Sequence, residues 1–152
     1  MGGRSLVAAQ DGDTASHPLV GTWLVDFAPA DPNGTFNVAV FAADGTMIDS
    51  SAEGGAAGGV WSATGETTAD ATYVILTDGP AHIVVRASIE VAADGQSFTG
   101  TYTNEYVIDK TGETTSEEIG PGTFEGKRIV VEAPGTPSSS FEDFFPQATP
   151  ES

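Results

Sequence analysis

The chain has no cysteine and few basic residues, and both absences narrow what it can do. Without Cys among its 152 residues it can form no disulfide and carries no thiol nucleophile. Its 5 Lys and Arg residues stand against 22 Asp and Glu residues, which gives a formal net charge of −17. A field of that sign repels phosphate backbones, so we expect no nucleic-acid partner.

Long apolar runs and catalytic motifs are missing too. No segment approaches the roughly 18 apolar residues that a membrane span needs, so we expect no membrane insertion. The two histidines, His17 and His82, lack metal-ligand spacing, and no nucleophile elbow or phosphate-binding loop occurs. We therefore predict no metal, no cofactor and no catalytic residue, and we leave enzymatic activity open with a leaning against it.

The N-terminal segment has the pattern of a processed export signal. Leu6–Ala9 is apolar and ends in small residues, and the polar run Gln10–Asp13 follows it. This order is typical of a signal core, its cleavage site and a mature start. It predicts a secreted or cell-envelope bacterial protein whose residues 1–17 are a disordered leader. A leader without any targeting role is the alternative.

Residues 18–132 consist of short apolar-alternating runs separated by turn residues. Asp44-Gly45, Asp78-Gly79 and Asp94-Gly95 are typical hairpin turns, and the short links favour antiparallel neighbours. The runs predict strands at Leu19–Phe27, Thr35–Ala42, Thr46–Ser51, Val60–Thr64, Thr72–Thr77, Ala81–Val91, Ser97–Asp109, Thr114–Ile119 and Thr123–Glu132.

Alternation assigns faces to these strands. Phe36, Val38 and Val40 share one face of the second strand, which we expect to be the buried one. On the sixth, His82 and Arg86 face outward. An apolar face on every long strand has to be covered, and closing the sheet covers it without helices. We predict an all-β protein, a single antiparallel up-and-down β-barrel of 8–9 strands, with a two-sheet sandwich as the alternative.

The last twenty residues, 133–152, differ in composition and are predicted to form a flexible tail. Their first part is rich in Pro, Gly and Ser, and Phe141-Glu142-Asp143-Phe144-Phe145 follows. Ser139 with Glu142 forms a capping-box pattern that predicts a short helical turn at 140–145. One turn needs a surface on which to dock, and disorder is the alternative.

Gly21-Thr22-Trp23 in the first strand and Lys127-Arg128 in the last resemble the calycin barrels, which include lipocalins, fatty-acid-binding proteins and avidins. In that group a Trp of the first strand packs against an Arg or Lys of the last. The resemblance covers about residues 18–132 and implies that Trp23 and Arg128 close one end of the barrel. The tyrosine of a fatty-acid clamp would fall on Val130, and avidin's biotin-binding set has no match here, so neither ligand is implied.

A second resemblance lies in Gly120–Gly126, which is similar to the glycine-rich strand entry of allene oxide cyclase and dirigent barrels. It implies, as one alternative function, a cofactor-free isomerase or cyclase with Tyr102 or Tyr106 as proton donor and Asn104 as polarising group. Glycines that permit only a bulge and close packing are the simpler explanation.

The candidate ligand site lies on the longest strand. Tyr102, Asn104 and Tyr106 share its presumed inward face, and Trp61 and Tyr73 are assigned to the same wall. An aromatic-walled cavity with few polar groups is typical of a binding pocket. We predict that the barrel, as a monomer or homodimer, binds a small apolar or aromatic molecule. A filled structural barrel without a ligand is the other alternative.

Overall fold

The computed structural model describes residues 14–52 and 55–144 and shows one closed barrel. Each strand pairs antiparallel with the next, and the last pairs with the first. The predicted all-β, up-and-down barrel is confirmed, with eight strands. They are β1 (Gly21–Asp26), β2 (Phe36–Phe41), β3 (Thr46–Ser51), β4 (Ala56–Ala63), β5 (Thr68–Leu76), β6 (His82–Val91), β7 (Ser97–Val107) and β8 (Ile119–Arg128).

Several strand boundaries differ from the prediction: β5 begins at Thr68 instead of Thr72, and β8 runs over Ile119–Arg128 instead of Thr123–Glu132. β4 begins at Ala56, inside the glycine-rich stretch that was expected to be a loop. Its Gly59 lies against the backbone of Tyr73, where a side chain would collide, so the glycine permits close pairing. The segment Thr114–Ile119, predicted as a ninth strand, forms only an isolated bridge from Thr115 to Val107 before Ile119 begins β8.

The contact between β1 and β8 closes the barrel. Trp23 and Arg128 are direct neighbours across the two strands, and the Arg128 guanidinium carbon lies 4.2 Å from the centroid of the Trp23 ring. The guanidinium also donates to the carbonyls of Val20 (2.9 Å), Gly95 (2.7 Å) and Pro18. One side chain therefore joins the entry of β1, the β6–β7 turn and the end of β8.

Residues 14–17 belong to this closed end and not to the leader to which the sequence assigned them. Thr14–Ser16 form one turn of 3-10 helix, and His17 is buried. The His17 Nδ1 accepts the N–H of Leu19, so Nε2 carries the proton and faces the carbonyls of Gly65 and Thr68, each at 3.1 Å. Because both ring nitrogens have hydrogen-bond partners, burial of this imidazole leaves neither of them unpaired. Residues 1–13, the rest of the predicted leader, lie outside the described residues.

The face assigned to β2 is wrong. Asn37, Ala39 and Phe41 point into the barrel, while Phe36, Val38 and Val40 lie on its outer wall. The reason is the register with β1, which sets Ala39 opposite the large Trp23 ring. A small side chain is what fits beside an indole in a narrow interior.

The C-terminal segment leaves the barrel after Arg128. Residues 133–140 are exposed and have no regular secondary structure, and a short helix, α1 (Phe141–Phe144), follows. Its cap lies one residue later than the predicted Ser139–Glu142 pair: the Ser140 hydroxyl donates to Asp143 Oδ2 at 2.8 Å, and the Asp143 N–H donates to Ser140 Oγ. Residue 145 of the predicted turn lies outside the described residues. No helix in the described part of the chain is long and apolar enough to cross a membrane.

Removing the guanidinium that closes the barrel should destabilise the protein strongly. In Arg128→Ala the ring contact and three charged hydrogen bonds are lost, and we expect the free energy of unfolding to fall by about 2–4 kcal/mol. Arg86→Ala is the matched control, because Arg86 pairs with Glu105 on the exposed outer wall at 2.9 Å and such pairs contribute less than about 1 kcal/mol. Urea denaturation measures the free energy of unfolding of both variants. Equal losses in the two variants would contradict the closing role of Arg128.

Candidate functional site

One end of the barrel is filled by satisfied side chains. Trp61, which the sequence assigned to the ligand pocket, lies buried here. Its indole N–H donates to the carbonyl of Ala42 at 2.9 Å, and its ring centroid lies 5.5 Å from that of His17 and 6.1 Å from that of Phe41. The indole N–H of Trp61 and both ring nitrogens of His17 therefore have hydrogen-bond partners.

The middle of the barrel is packed by aromatic rings that lie over glycines. A methyl group on these glycines would overlap the ring above, so each ring needs its glycine. The pairs are Phe98 over Gly126, Phe124 over Gly100 and Tyr102 over Gly122. This packing leaves an interior cavity of about 20 Å³, which is the space that one water molecule needs.

Asp49 is the one carboxylate on the wall of that cavity. It points inward from β3, and only 4% of its surface is exposed. The side-chain amide of Asn37 donates to its Oδ2 at 2.8 Å, but its Oδ1 is buried without any hydrogen-bond partner. Buried polar atoms are nearly always paired, so an unpaired carboxylate oxygen beside a cavity marks a place for a donor.

Burial sets the acid–base properties of this cavity. It raises the pKa of the Asp49 carboxyl above its ordinary value, and the hydrogen bond from Asn37 opposes the rise only in part. Tyr73 also lines the cavity, and its pKa is raised first by burial and then by the nearby Asp49 carboxylate. The Tyr73 hydroxyl therefore stays protonated, able to donate a hydrogen bond to a ligand as well as to accept one.

Aromatic side chains separate the cavity from the opposite end of the barrel. Phe27, the residue after β1, lies edge-on to the half-buried Tyr102 at 5.3 Å between ring centroids and stacks on Phe124 at 5.4 Å. Asn104 follows on β7 with its Oδ1 buried and unpartnered. Tyr106, two residues further on, is 40% exposed. The end of the barrel that contains Tyr106 is therefore more exposed to solvent than the end that contains Trp23 and Trp61.

The structure distributes the five predicted ligand-binding residues along the whole barrel. Tyr73 lines the cavity, and Tyr102 contacts its Phe27 cover. Asn104 and Tyr106 lie further along β7, away from the cavity lining, and Trp61 is in the closed end. One strand face therefore spans several layers of the barrel, and sharing a face does not bring side chains to one site.

Asp49 and Asn37 are not among the site residues predicted from the sequence. Strand alternation places Asp49 on the same face as Met47, which is buried, so the spacing contained the signal. The adjacent Ile48 gave an equally plausible apolar face, and only the pairing with β2 and β4 decides between them. The inward orientation of Asn37 follows from the face that β2 turns to the interior, and the pairing with β1 determines that face.

Among the described residues, Asp49 is the one carboxylate that has a buried, unpartnered oxygen beside an interior cavity. No group of three or more His, Asp or Glu side chains among residues 14–52 and 55–144 could hold a metal ion. A more open groove of about 780 Å³ runs over the outer wall of β5–β8, with Asp70, Glu90 and Glu125 among its lining. Neither of the two buried unpartnered oxygens belongs to it.

Asp49→Asn should stabilise the protein at neutral pH. Because folding raises the pKa of Asp49 above its ordinary value of 3.8, the ionised carboxylate disfavours the folded state, and the effect disappears once both states are protonated. We expect the variant to be more stable than wild type at about pH 7, and the difference to shrink as the pH falls through the folded-state pKa toward 3.8.

Asp44→Asn is the control, because folding lowers the pKa of Asp44 whereas it raises the pKa of Asp49. The hydroxyl and N–H of Thr46 hold the pKa of the exposed Asp44 carboxyl below its ordinary value. This carboxylate stabilises the fold above its unfolded-state pKa, and the stabilisation is lost as the pH falls through the folded-state value. Urea unfolding of all three proteins across the acid range tests both signs, and a stability loss in both variants at neutral pH would contradict the burial of an ionisable Asp49.

Comparisons with family models, with curated proteins and with solved structures find no match for this chain. The likeness to calycin barrels therefore extends to architecture alone. The chain folds as a closed, eight-stranded, antiparallel, up-and-down barrel.

Proposed function

We propose that the protein binds a small, largely apolar molecule that carries one N–H or O–H donor, and that the donor occupies the cavity beside Asp49. The observation that carries this proposal is the unpartnered Oδ1 of a carboxylate that is 4% exposed. A binding site of this kind has apolar walls and one or two polar groups that fix the orientation of the ligand.

The size of the cavity limits how such a ligand binds. About 20 Å³ accepts one heavy atom with its hydrogens, so only the donor group of the ligand fits there. The rest of the molecule then replaces the ring of Phe27, which follows β1 in a connecting segment and is half-buried. The ligand would stack on Phe124 and meet Tyr102 edge-on, as Phe27 does now. An aromatic or flat aliphatic body suits both contacts.

A filled barrel without a ligand is the second candidate, and the cavity volume favours it. One water that donates to Asp49 Oδ1 would satisfy the free oxygen and fill the space. The barrel would then serve as a rigid support for its outer surface. The two candidates differ in whether Phe27 can leave its place without loss of the fold.

The segment that predicts export, Leu6–Ala9, lies outside the described residues, so a secreted or cell-envelope location remains part of this proposal. An acidic chain with no cysteine is compatible with that location because it needs no disulfide to fold.

A titration with three matched probes tests ligand binding. Phenol and indole present a donor on an aromatic ring, and toluene is a control that has no donor. We expect phenol and indole to bind and toluene to bind at least about tenfold more weakly, because it leaves the carboxylate oxygen unpaired. Isothermal titration calorimetry measures the affinities, and native mass spectrometry of the freshly purified protein detects any ligand that co-purifies.

Variants locate the binding. Asp49→Asn replaces the free acceptor by an amide and should weaken phenol binding by about tenfold or more. The exposed Asp44→Asn should leave it unchanged. Phe27→Ala opens the end of the barrel and should increase the affinity for indole. No binding by any probe, together with a destabilised Phe27→Ala variant that also binds nothing, would overturn the proposal in favour of the filled barrel.

A further inference from the structure

Asp49 is a buried carboxylate that has no positively charged partner in the described part of the chain. Both ion pairs there belong to Arg86, which contacts Glu105 and Glu118 on the outer wall. Burial raises the pKa of Asp49, and what opposes the rise is the hydrogen bond from the neutral amide of Asn37. Buried charges in proteins are normally paired with an opposite charge or coordinate a metal ion. The unpartnered Oδ1 therefore lacks the partner that its charge requires.

The wall of the cavity disfavours a metal ion as that partner. Ca²⁺ and Mg²⁺ take about six or more oxygen ligands. Among the residues that line the cavity, Asp49 carries a carboxylate and Tyr73 a hydroxyl, and the other side chains are apolar. No cluster of three metal-binding side chains occurs among residues 14–52 and 55–144. The cation that suits this wall is an organic one, which needs few oxygen partners and brings an apolar body with it.

The volume of the cavity selects the kind of organic cation. About 20 Å³ accepts one heavy atom with its hydrogens. A primary ammonium group has a single heavy atom, whereas guanidinium and trimethylammonium groups have four each. A primary ammonium also has three N–H donors. One of them is available for Asp49 Oδ1, and Tyr73, which lines the same cavity, carries a second acceptor.

We propose that the cavity beside Asp49 binds the primary ammonium group of a small arylalkylamine, whose aromatic ring takes the place of the Phe27 ring. This inference rests on the proposed function and names the class of ligand, because it makes the hydrogen-bond donor a charged one. Hydrogen bonds between an ammonium and a carboxylate are about twice as strong as neutral ones. The ring of the amine would stack on Phe124, as Phe27 does now.

Two further features of the molecule favour a cation over a neutral donor. Phe41, Phe98 and Phe124 line the cavity, and a cation within about 6 Å of an aromatic ring is attracted to the electrons of its face. The net charge of −17 raises the concentration of small cations near the protein and repels anions. The favoured ligand is therefore an amine that carries no carboxylate of its own.

The acidic groove on the outer wall of β5–β8 is the competing place for a cation. Its Asp70, Glu90 and Glu125 are exposed, and Asp70 Oδ1 accepts the hydroxyl of Ser88 at 2.9 Å. Exposed carboxylates gain less than about 1 kcal/mol from a single cation because water screens the pair. The groove attracts an amine without fixing its position. Asp70→Asn is accordingly the matched control for Asp49→Asn, since both substitutions remove one carboxylate charge.

Isothermal titration calorimetry of the full chain at neutral pH, with three probes of one skeleton, tests the proposal. 2-Phenylethylamine carries the ammonium, and 2-phenylethanol replaces it by a neutral hydroxyl. Trimethyl(2-phenylethyl)ammonium keeps the charge but has no donor and is too large for the cavity. We expect the amine to bind at least about tenfold more tightly than either of the other two. This comparison uses the wild-type protein and does not depend on the folding of a variant.

The two variants then locate the ammonium. Asp49→Asn should weaken 2-phenylethylamine binding by at least about a hundredfold, because a buried charge pair is lost. The same variant should weaken 2-phenylethanol binding by about tenfold, the effect of a lost neutral donor's partner. Asp70→Asn should change either affinity by no more than about twofold. Circular dichroism confirms that each variant is folded.

The contrary outcomes separate this inference from the proposed function. An amine that binds no more tightly than the alcohol would overturn the inference and leave the proposed function standing, because the alcohol still supplies a donor. Equal binding of the trimethylammonium probe, or equal losses in Asp49→Asn and Asp70→Asn, would show attraction to the acidic surface instead. If none of the three probes binds, the inference and the proposed function both fail.

Discussion

The contact of Arg128 with Trp23 is the interaction on which the rest of the structure depends. It joins the first strand to the last, and only a closed sheet gives this chain an interior. The same guanidinium holds the carbonyls of the segment before β1 and of the β6–β7 turn, so the closed end is fixed by one charged group with several partners. His17, which sits before the first strand, completes that end by bonding through both of its ring nitrogens.

Because the barrel is closed, the volume of its interior limits how many large side chains it can contain. Eight strands leave a space that side chains can fill completely, and the large rings fit only because glycines lie opposite them. The ring of Trp23 requires Ala39 as its neighbour on β2, and this choice turns Phe36, Val38 and Val40 to the outside. The small interior cavity and the apolar outer wall thus have one cause. The proposed ligand site is a consequence of how few large side chains the barrel can hold.

The sequence predicted the barrel because its signals are local. Alternating runs, Asp-Gly turns and the Trp and Arg of the terminal strands each occupy a few consecutive residues. The face of β2 was not predictable in this way, because both of its alternate sets contain apolar residues and only pairing with β1 chooses between them. Asp49 was missed for a related reason: a lone acid in an apolar strand is normally assigned to solvent. His17 was missed because its partners, Gly65 and Thr68, lie about fifty residues away along the chain.

The most direct test of closure is the contact between β1 and β8 in solution. In isotope-labelled protein, nuclear Overhauser effects should connect Trp23 with Arg128 and Leu24 with Lys127, the pairs that meet in the structure. The Arg128 guanidinium protons should also show the upfield shift of groups that lie over an indole face. Absence of these cross-strand effects, with β1 contacting only β2, would show an open sheet or a sandwich and would contradict the closed barrel and its interior site.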